Sequence, residues 1–226
     1  MNTVQEIKNA LSGLTRMERE IVSIWIRELG TERVEEPAAT YSTPARYPHL
    51  SVEDYLKLEE DGDIRHEYVD GAVYAMSGVS EAHIAITGDI FAALWTHLRG
   101  TPCTPYFVDF KVRLEVNHKD LFYYPDVMVA CGREGVEKHY LRYPKLVVEV
   151  LSPSTEKTDR REKLLSYTQI ETLMEYVLVS QDAREVTLHR RGDAWRPQVV
   201  KGRSAIDLMS VNLSLPLDRV YERLPL

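Results

Sequence analysis

The sequence predicts a mixed α/β domain in which a β-sheet is flanked by helices. Between residues 80 and 180, a helix is followed by three strand candidates, a second helix and a fourth strand, and this alternation is typical of such a layered fold. The strand candidate at residues 145–151 is apolar on both faces, as expected for an interior strand covered from both sides. With 226 residues, the chain can form one such domain and a small appendage.

The individual elements follow from capping signals and hydrophobic periodicity. Ser51 begins a short helix with a capping box, and Asp70-Gly71 is a turn dipeptide inside a strand pair at residues 65–76. A helix is predicted at residues 80–99, where Gly100 ends it. Further strands are predicted at residues 106–115, 122–131, 145–151, 174–180, 185–190 and 195–200, with a helix at residues 159–169.

The first 46 residues form a separate region. Capping boxes at Thr3 and Thr15 predict a helical hairpin at residues 1–30, and the aperiodic residues 31–46 indicate a linker to a domain at residues 47–226. The second helix has an apolar stripe that the hairpin alone cannot bury: Ile21, Val22, Trp25, Ile26 and Leu29. We therefore expect a homodimer with the hairpin in its interface, and the alternative is a hairpin folded back on its own domain.

Composition indicates an ordinary globular protein, which we expect in the cytoplasm. The hydrophobic fraction is 44%, no apolar run is long enough to span a membrane, and the N-terminus lacks a signal-peptide pattern. Cys103 and Cys131 provide neither a disulfide framework nor a CxxC metal spacing. The net charge of −7 argues mildly against a nucleic-acid partner, although residues 138–163 and 184–203 are rich in Lys and Arg. These two stretches are either solvated surfaces or a rim that faces phosphates.

Two carboxylates carry the chemical prediction. Glu149 lies inside the apolar strand at residues 145–151, where a carboxylate is costly unless it is paired, hydrogen-bonded or bound to a metal. Asp126 follows Pro125, which cannot donate to a strand ladder and can turn the chain toward a cleft. If the two strands are neighbours, the carboxylate oxygens should converge within about 5 Å and share one cation. The alternative for each residue alone is a carboxylate that caps a loop.

Asp159 and Lys163 are four residues apart and share one face of the next predicted helix. Asp159 also fits a capping box with Glu162, and Lys163 also fits a solvated lysine of the first turn. The functional interpretation places the Lys163 ammonium back toward Glu149, because the helix follows directly after the strand that bears this glutamate.

These residues resemble the Uma-two family of restriction-endonuclease-like proteins, a branch of the PD-(D/E)XK nuclease superfamily. The resemblance covers about residues 47–224 and rests on the segments Tyr55-Leu56, Glu67-Tyr-Val-Asp-Gly71, His83, Pro125-Asp126-Val127, Val147-Val-Glu-Val-Leu-Ser-Pro-Ser-Thr155, residues 159–163, Tyr167 and the strand from Glu175. The Pro-Asp and Val-Glu-Val-Leu-Ser-Pro-Ser segments are specific when they occur together. The N-terminal hairpin lies outside the match.

The resemblance implies an Mg²⁺-dependent endonuclease that cleaves DNA, with Mn²⁺ as a possible substitute. Asp126, Glu149 and the backbone carbonyl of Val150 would hold the metal, which would activate a water and offset charge on the phosphate. The family motif has a lysine two residues after the glutamate, but Leu151 occupies that position here. The resemblance implies that Lys163 replaces it.

Three further residues enter as weaker candidates. Lys111 is a second candidate for the missing lysine. Glu67 and His83 match positions that the family pattern favours, as auxiliary catalytic residues. The alternatives are a salt bridge of Glu67 with Arg65 and a structural helix histidine for His83; a functional His83 would donate to a phosphate or to a ligating carboxylate.

The main rival to an enzyme is a catalytically inactive PD-(D/E)XK scaffold that binds nucleic acid or protein. The acidic net charge and the missing in-strand lysine favour this rival. The intact carboxylate pair favours the enzyme, because an unliganded buried pair would be costly.

Overall fold

The fold contains three β-sheets with helices packed around them. The computed structural model describes Gly13, residues 49–153 and residues 155–226. The predicted N-terminal hairpin and linker lie outside the described residues. The mixed α/β fold predicted from the sequence is confirmed.

The described part of the chain contains five α-helices and thirteen strands. The helices are α1 Val52–Asp61, α2 Glu81–His97, α3 Glu156–Thr158, α4 Leu164–Tyr167 and α5 Leu217–Val220, with a π-helical segment Asp159–Lys163 between α3 and α4. The strands are β1 His66–Val69, β2 Ala72–Ala75, β3 Cys103–Phe107, β4 Lys111–Val116, β5 Lys119–Tyr123, β6 Val127–Cys131, β7 Tyr140–Leu141, β8 Leu146–Leu151, β9 Glu175–Ser180, β10 Glu185–Arg190, β11 Pro197–Lys201, β12 Ala205–Leu208 and β13 Leu213–Pro216.

The strands are arranged in one large sheet, one smaller sheet and a ribbon. The six-stranded sheet has the order β11-β10-β9-β8-β6-β3, and its β8–β9 pair is parallel. The five-stranded sheet has the order β2-β1-β5-β4-β7, and strands β12 and β13 pair separately. Strand β8 is therefore interior, as its sequence, apolar except for Glu149, predicts, and all six of its residues are buried.

Two predicted strands are each divided between the two larger sheets. The strand predicted at residues 106–115 is wrong as one element, because it ends at Phe107 in the large sheet and resumes at Lys111 in the smaller one. Val108 and Asp109 adopt left-handed backbone angles, with φ of 45° and 55°, and this conformation breaks an extended strand.

The strand predicted at residues 122–131 is divided in the same way. Its first part belongs to β5 in the smaller sheet, and its second part is β6 in the large sheet. The segment Tyr124-Pro125-Asp126 joins them. The proline thus interrupts the ladder, and the chain changes sheet next to Asp126.

The six-stranded sheet has an apolar layer on each face. Alternate residues of β8 enter opposite layers, with Val148 and Val150 on one side and Val147 and Leu151 on the other. The first layer includes α2, α5 and the β12–β13 ribbon; the second includes β4, β5 and the segment from α4 to Leu173. Burial of this kind contributes about 1.5–3 kcal/mol for each fully buried large apolar side chain.

The two cysteines form a disulfide, which the sequence spacing did not predict. Cys103 in β3 lies directly opposite Cys131 in β6, and the bond joins these two neighbouring strands. Strands β7, β12 and β13 and helix α5 were also missed, since each has only two to four residues. No helix of the described residues is long and apolar enough to cross a membrane.

Candidate active site

The pairing of β6 with β8 brings Asp126 and Glu149 together. The two strands are antiparallel with Val127 opposite Val148, so one further step along the same register places Asp126 opposite Glu149. Side chains at opposed positions of an antiparallel pair share one face of the sheet. The Oδ2 atom of Asp126 also accepts a hydrogen bond of 2.6 Å from the backbone N–H of Val150. The carboxylates therefore lie on the same face, at the end of the ladder.

His83 fixes the other oxygen of Asp126. Its Nε2 lies 2.7 Å from Asp126 Oδ1, and Ser80 caps the N-terminus of α2 by accepting a hydrogen bond from the His83 backbone N–H. The Nδ1 atom of His83 is buried and has no hydrogen-bond partner. This geometry agrees with a histidine that donates to a candidate ligating carboxylate, rather than with a histidine satisfied within its own helix.

Lys163 lies at the centre of a buried carboxylate cluster. Its Nζ is 2.8 Å from Glu67 Oε1, 3.1 Å from Asp159 Oδ1 and 3.3 Å from Glu149 Oε1. The side chain comes from the π-helical segment, and such segments occur often at functional sites. Lys163 thus extends from the helical region after β8 to the glutamate inside β8, as the sequence predicted.

Asp159 and Tyr167 complete the same helical face. Lys163 follows Asp159 by four residues and Tyr167 follows Lys163 by four, and the Tyr167 hydroxyl donates a 3.0 Å hydrogen bond to Glu149 Oε1. The capping-box interpretation of Asp159 is wrong, because the helical region begins at Glu156 and the Asp159 side chain is buried beside Lys163. Asp159, Lys163 and Tyr167 follow one another at intervals of four residues, and this spacing in the sequence could have identified Tyr167 as a member of the same helical face.

The pKa values of Glu149 and Lys163 are shifted by burial and by the excess of carboxylates over ammonium groups in the cluster. Burial raises the pKa of Glu149 well above its ordinary value, the Lys163 ammonium opposes this shift, and the carboxylates of Asp159 and Asp126 add to it. Burial alone would lower the pKa of Lys163, but Asp159, Glu149 and Glu67 raise it well above its usual range. Lys163 is therefore a cation at neutral pH, and it can donate hydrogen bonds but cannot accept a proton.

Glu67 reaches the cluster from β1 in the smaller sheet. Burial raises its pKa, and the nearby Lys163 ammonium opposes the shift. The alternative salt bridge with Arg65 does not form; Arg65 instead pairs with Asp109 at 3.1 Å. The site thus combines residues from both large sheets and from two helical segments.

The donor set suits a hard divalent cation with few protein ligands. Asp126, Glu149, Glu67 and Asp159 provide four carboxylates, and the lysine neutralises only part of their charge. No group of three or more His, Cys, Asp and Glu side chains among the described residues is arranged to hold a metal. Mg²⁺ nevertheless often takes one or two carboxylates and completes its shell with water and substrate oxygens. Asp126 and Glu149 fit that pattern, and Val150, which lines the same cavity, offers its backbone carbonyl.

All predicted side chains of the site line one cavity of about 260 Å³: Glu67, His83, Asp126, Glu149 and Lys163. Tyr74, Tyr124 and Asp159 line it as well. Lys111 does not; its ammonium donates to the Tyr124 hydroxyl at 3.0 Å from a different pocket that also contains Glu59. Geometry therefore favours Lys163 over Lys111 as the lysine of this site.

Several residues of the two basic stretches form contacts within the protein. Lys138 pairs with Glu60 at 3.0 Å, and Lys201 pairs with Glu185 at 2.6 Å. Arg191 donates to backbone carbonyls, and Arg190 pairs with Glu175 at 3.0 Å. These contacts support the interpretation of residues 184–203 as surface and strand-edge charges rather than as a phosphate-facing rim.

Comparison with known proteins identifies the family of this chain. The model of the Uma2 family, described as "Putative restriction endonuclease", matches residues 52–218. The chain belongs to the Uma2 family. Its match includes every residue of the candidate site, and the resemblance inferred from the sequence motifs is confirmed.

Two relatives come from Synechocystis sp. strain PCC 6803. The uncharacterized protein slr1290 is 37% identical over 187 residues, which are 81% of this chain and 97% of that protein. The uncharacterized protein sll1609 is 27% identical over 135 residues, which are 58% of this chain and 75% of that protein.

A crystal structure from Anabaena variabilis has the same fold. That protein is described as "a putative nuclease belonging to DUF820", and the similarity has a TM-score of 0.61 at 15% identity. It covers 76% of this chain and 98% of the other. At this identity the comparison establishes the fold alone.

Proposed function

We propose that this member of the Uma2 family is an Mg²⁺-dependent endonuclease that hydrolyses phosphodiester bonds in DNA. The observation that carries the proposal is the position of Lys163, whose Nζ lies 3.3 Å from Glu149 Oε1 in the cavity that also contains Asp126. A lysine from the following helical segment thus occupies the site although Leu151 replaces the usual in-strand lysine.

Each residue has a chemical role in this proposal. Asp126 and Glu149 hold the cation, and the Val150 carbonyl adds a third oxygen. When bound, Mg²⁺ (or Mn²⁺) supplies a Lewis acid that lowers the pKa of a water and offsets charge on the phosphate. Lys163, a buried cation, orients the attacking water and stabilises developing negative charge.

Glu67 and His83 position the side chains of Lys163 and Asp126. Glu67 holds the Lys163 ammonium at 2.8 Å and keeps it directed into the cavity. His83 holds Asp126 at 2.7 Å and fixes the orientation of its carboxylate. Both are positioning residues in this scheme, because they act through another side chain.

A metal titration tests the proposal directly. Calorimetry with Mg²⁺ and Mn²⁺ should show binding to the wild type, and Asp126→Asn should weaken it at least tenfold. The matched control is Asp207→Asn on β12, since this exposed residue does not line the cavity. Cleavage of labelled DNA should require the metal and should be lost in Asp126→Asn alone. Absence of both metal binding and cleavage in the wild type would exclude the nuclease.

A second candidate is the inactive scaffold. The contacts of Lys163 with three carboxylates favour it, because a buried ammonium can serve as a structural counter-ion for acidic groups. In that case the wild type would bind nucleic acid or a protein without hydrolysis, and Asp126→Asn would not change metal binding.

The proposed partners are DNA and a second copy of the chain. The apolar stripe of the second predicted helix needs a surface that covers it, and we propose that the N-terminal hairpin contributes to a homodimer interface. We further propose that the protein acts in the cytoplasm, where its DNA substrate is present.

A further inference from the structure

The two walls of the catalytic cavity differ in a way that bears on the substrate. We propose that this cavity accepts an unpaired polynucleotide strand, such as single-stranded DNA or RNA or a frayed duplex end, in preference to an intact duplex. This inference rests on the proposed nuclease function and specifies its substrate class.

One wall is apolar and carries no cation. It consists of Tyr74 and the segment from Met76 to Val79, which joins β2 to α2. Met76 is 40% exposed and Val79 is 53% exposed, although both line the cavity. There is no Lys or Arg anywhere between residues 66 and 98. This wall therefore has no lysine or arginine that would pair with a phosphate backbone.

Tyr74 places an aromatic ring beside the carboxylate cluster. It lies directly opposite Glu67 in the β1–β2 hairpin, and opposed residues of an antiparallel pair project from the same face. An aromatic ring and neighbouring apolar side chains are the surface against which an unstacked base packs. The wall thus matches the faces of bases rather than phosphates.

The other wall is polar and adjoins basic residues. Ser152, Thr155 and Thr158 line it; the hydroxyls of Ser152 and Thr155 lie 2.9 Å apart in a hydrogen bond with each other, and hydroxyl groups of this kind are common partners of phosphate oxygens. The same helical region contains Lys157, Arg160 and Arg161, of which Arg160 pairs with Glu156 at 2.8 Å and Lys157 is exposed. Lysine and arginine residues therefore accompany this wall in the sequence and are absent from the segment at residues 66–98 that forms the other wall.

A paired duplex does not match this asymmetry. Its base faces are stacked and unavailable to Tyr74, Met76 and Val79, and its second strand would bring phosphates toward a wall without cations. A single strand presents phosphates on one side and free bases on the other, and such strands are bound by a basic groove combined with a stacking surface.

Binding and cleavage of matched oligonucleotides test the inference. Anisotropy would be measured for labelled single-stranded DNA, single-stranded RNA and duplex DNA of one sequence, in Ca²⁺, with gels to confirm that the oligonucleotides stay intact. We expect at least tenfold tighter binding of one of the single strands than of the duplex. The double variant Met76→Ser/Val79→Ser should lose about tenfold in single-strand affinity and less than twofold in duplex affinity.

The control is Val199→Ser, since Val199 is 49% exposed on β11 and does not line the cavity. It should bind as the wild type does. If the duplex binds and is cleaved as well as the single strands, this inference is overturned while the nuclease function stands. If no oligonucleotide binds or is cleaved, both proposals fall.

Discussion

Lys163 is the residue on which the candidate site depends most. It lies within 3.3 Å of the carboxylates of Glu67, Asp159 and Glu149, and its side chain is almost completely buried. Burying the Lys163 ammonium costs a large desolvation free energy. Its ion pairs with the three carboxylates offset this cost, so the loss of any one of these carboxylates should destabilise the folded protein. Its role in the fold and its proposed role in catalysis are therefore linked.

Replacement of Lys163 should affect both roles. Lys163→Ala should abolish metal-dependent cleavage, and it should also lower the free energy of unfolding by about 3–5 kcal/mol, because buried carboxylates lose their counter-ion. Urea denaturation and a cleavage assay at a temperature where the variant remains folded measure the two effects. Full cleavage by the folded variant would contradict the role of Lys163, and Lys111 would be the next residue to replace.

Tyr167 provides a more selective test of how Glu149 is held. Tyr167→Phe removes the 3.0 Å hydrogen bond to Glu149 Oε1 and should weaken Mg²⁺ affinity about tenfold. Tyr123→Phe is the matched control, because that buried hydroxyl lies 3.4 Å from Ser166 Oγ and belongs to a neighbouring tyrosine of the same core. Calorimetry should separate the two variants. Equal effects would indicate that Tyr167 acts by packing alone.

Among the elements, the pair of strands β3 and β6 is cross-linked at the edge of the large sheet. The disulfide between Cys103 and Cys131 closes a loop with a sequence separation of 28 residues. In the described sheet, β6 is the only strand that pairs with the edge strand β3, and Phe107 of β3 also stacks on Phe91 of α2.

Removal of the disulfide should destabilise the oxidised protein. For a loop of this length, the chain-entropy model gives about 3–4 kcal/mol. We expect Cys103→Ser/Cys131→Ser to show a loss of this order in urea denaturation, and reduction of the wild type should produce the same loss. If the wild type is equally stable with and without reductant, the bond contributes nothing to stability.

Strand β10 contains a histidine whose titration should affect stability. Burial lowers the pKa of His189, although its Nδ1 lies 2.8 Å from the Trp195 carbonyl oxygen, which opposes the shift. As pH falls below the unfolded-state pKa of about 6.5, the unfolded chain binds a proton that the folded protein excludes. Stability should therefore decrease from this pH down to the lowered folded-state pKa.

Comparison with His189→Gln isolates this contribution. As the pH falls from 7 to 5, the wild type should lose more stability than the variant, measured by urea denaturation at each pH. Parallel pH profiles for the two proteins would show that His189 takes up its proton equally well in the folded and the unfolded states.

At the scale of the whole molecule, assembly remains a prediction from the sequence. The apolar stripe of Ile21, Val22, Trp25, Ile26 and Leu29 lies outside the described residues, and it requires a surface that covers it. We expect a homodimer by light scattering for the full chain, and a monomer for a chain that begins near Arg46. Monomers in both measurements would contradict the prediction, whereas dimers in both would exclude the hairpin as the cause.

The sequence by itself determined the mixed α/β class, the interior strand β8 and the principal residues of the site. Glu149 was identifiable because a carboxylate in an uninterrupted apolar strand requires a partner. Lys163 was identifiable because it occupies the helical segment that follows this strand, four residues after Asp159. Both inferences use only neighbouring residues, because the two-residue period of a strand and the 3.6-residue period of a helix determine which face a side chain occupies.

Only the tertiary structure decided which strands meet. The chain passes from one sheet to the other at Val108 and Asp109, where the backbone is left-handed, and again at the proline before Asp126. Hydrophobic periodicity is the same in both sheets, so it does not reveal these changes of sheet. The pairing of Cys103 with Cys131 and the contacts of Glu67 with Lys163 and of His83 with Asp126 follow from that arrangement. They join residues from 28 to 96 positions apart, whose proximity depends on long-range strand pairing and helix packing rather than on any local pattern.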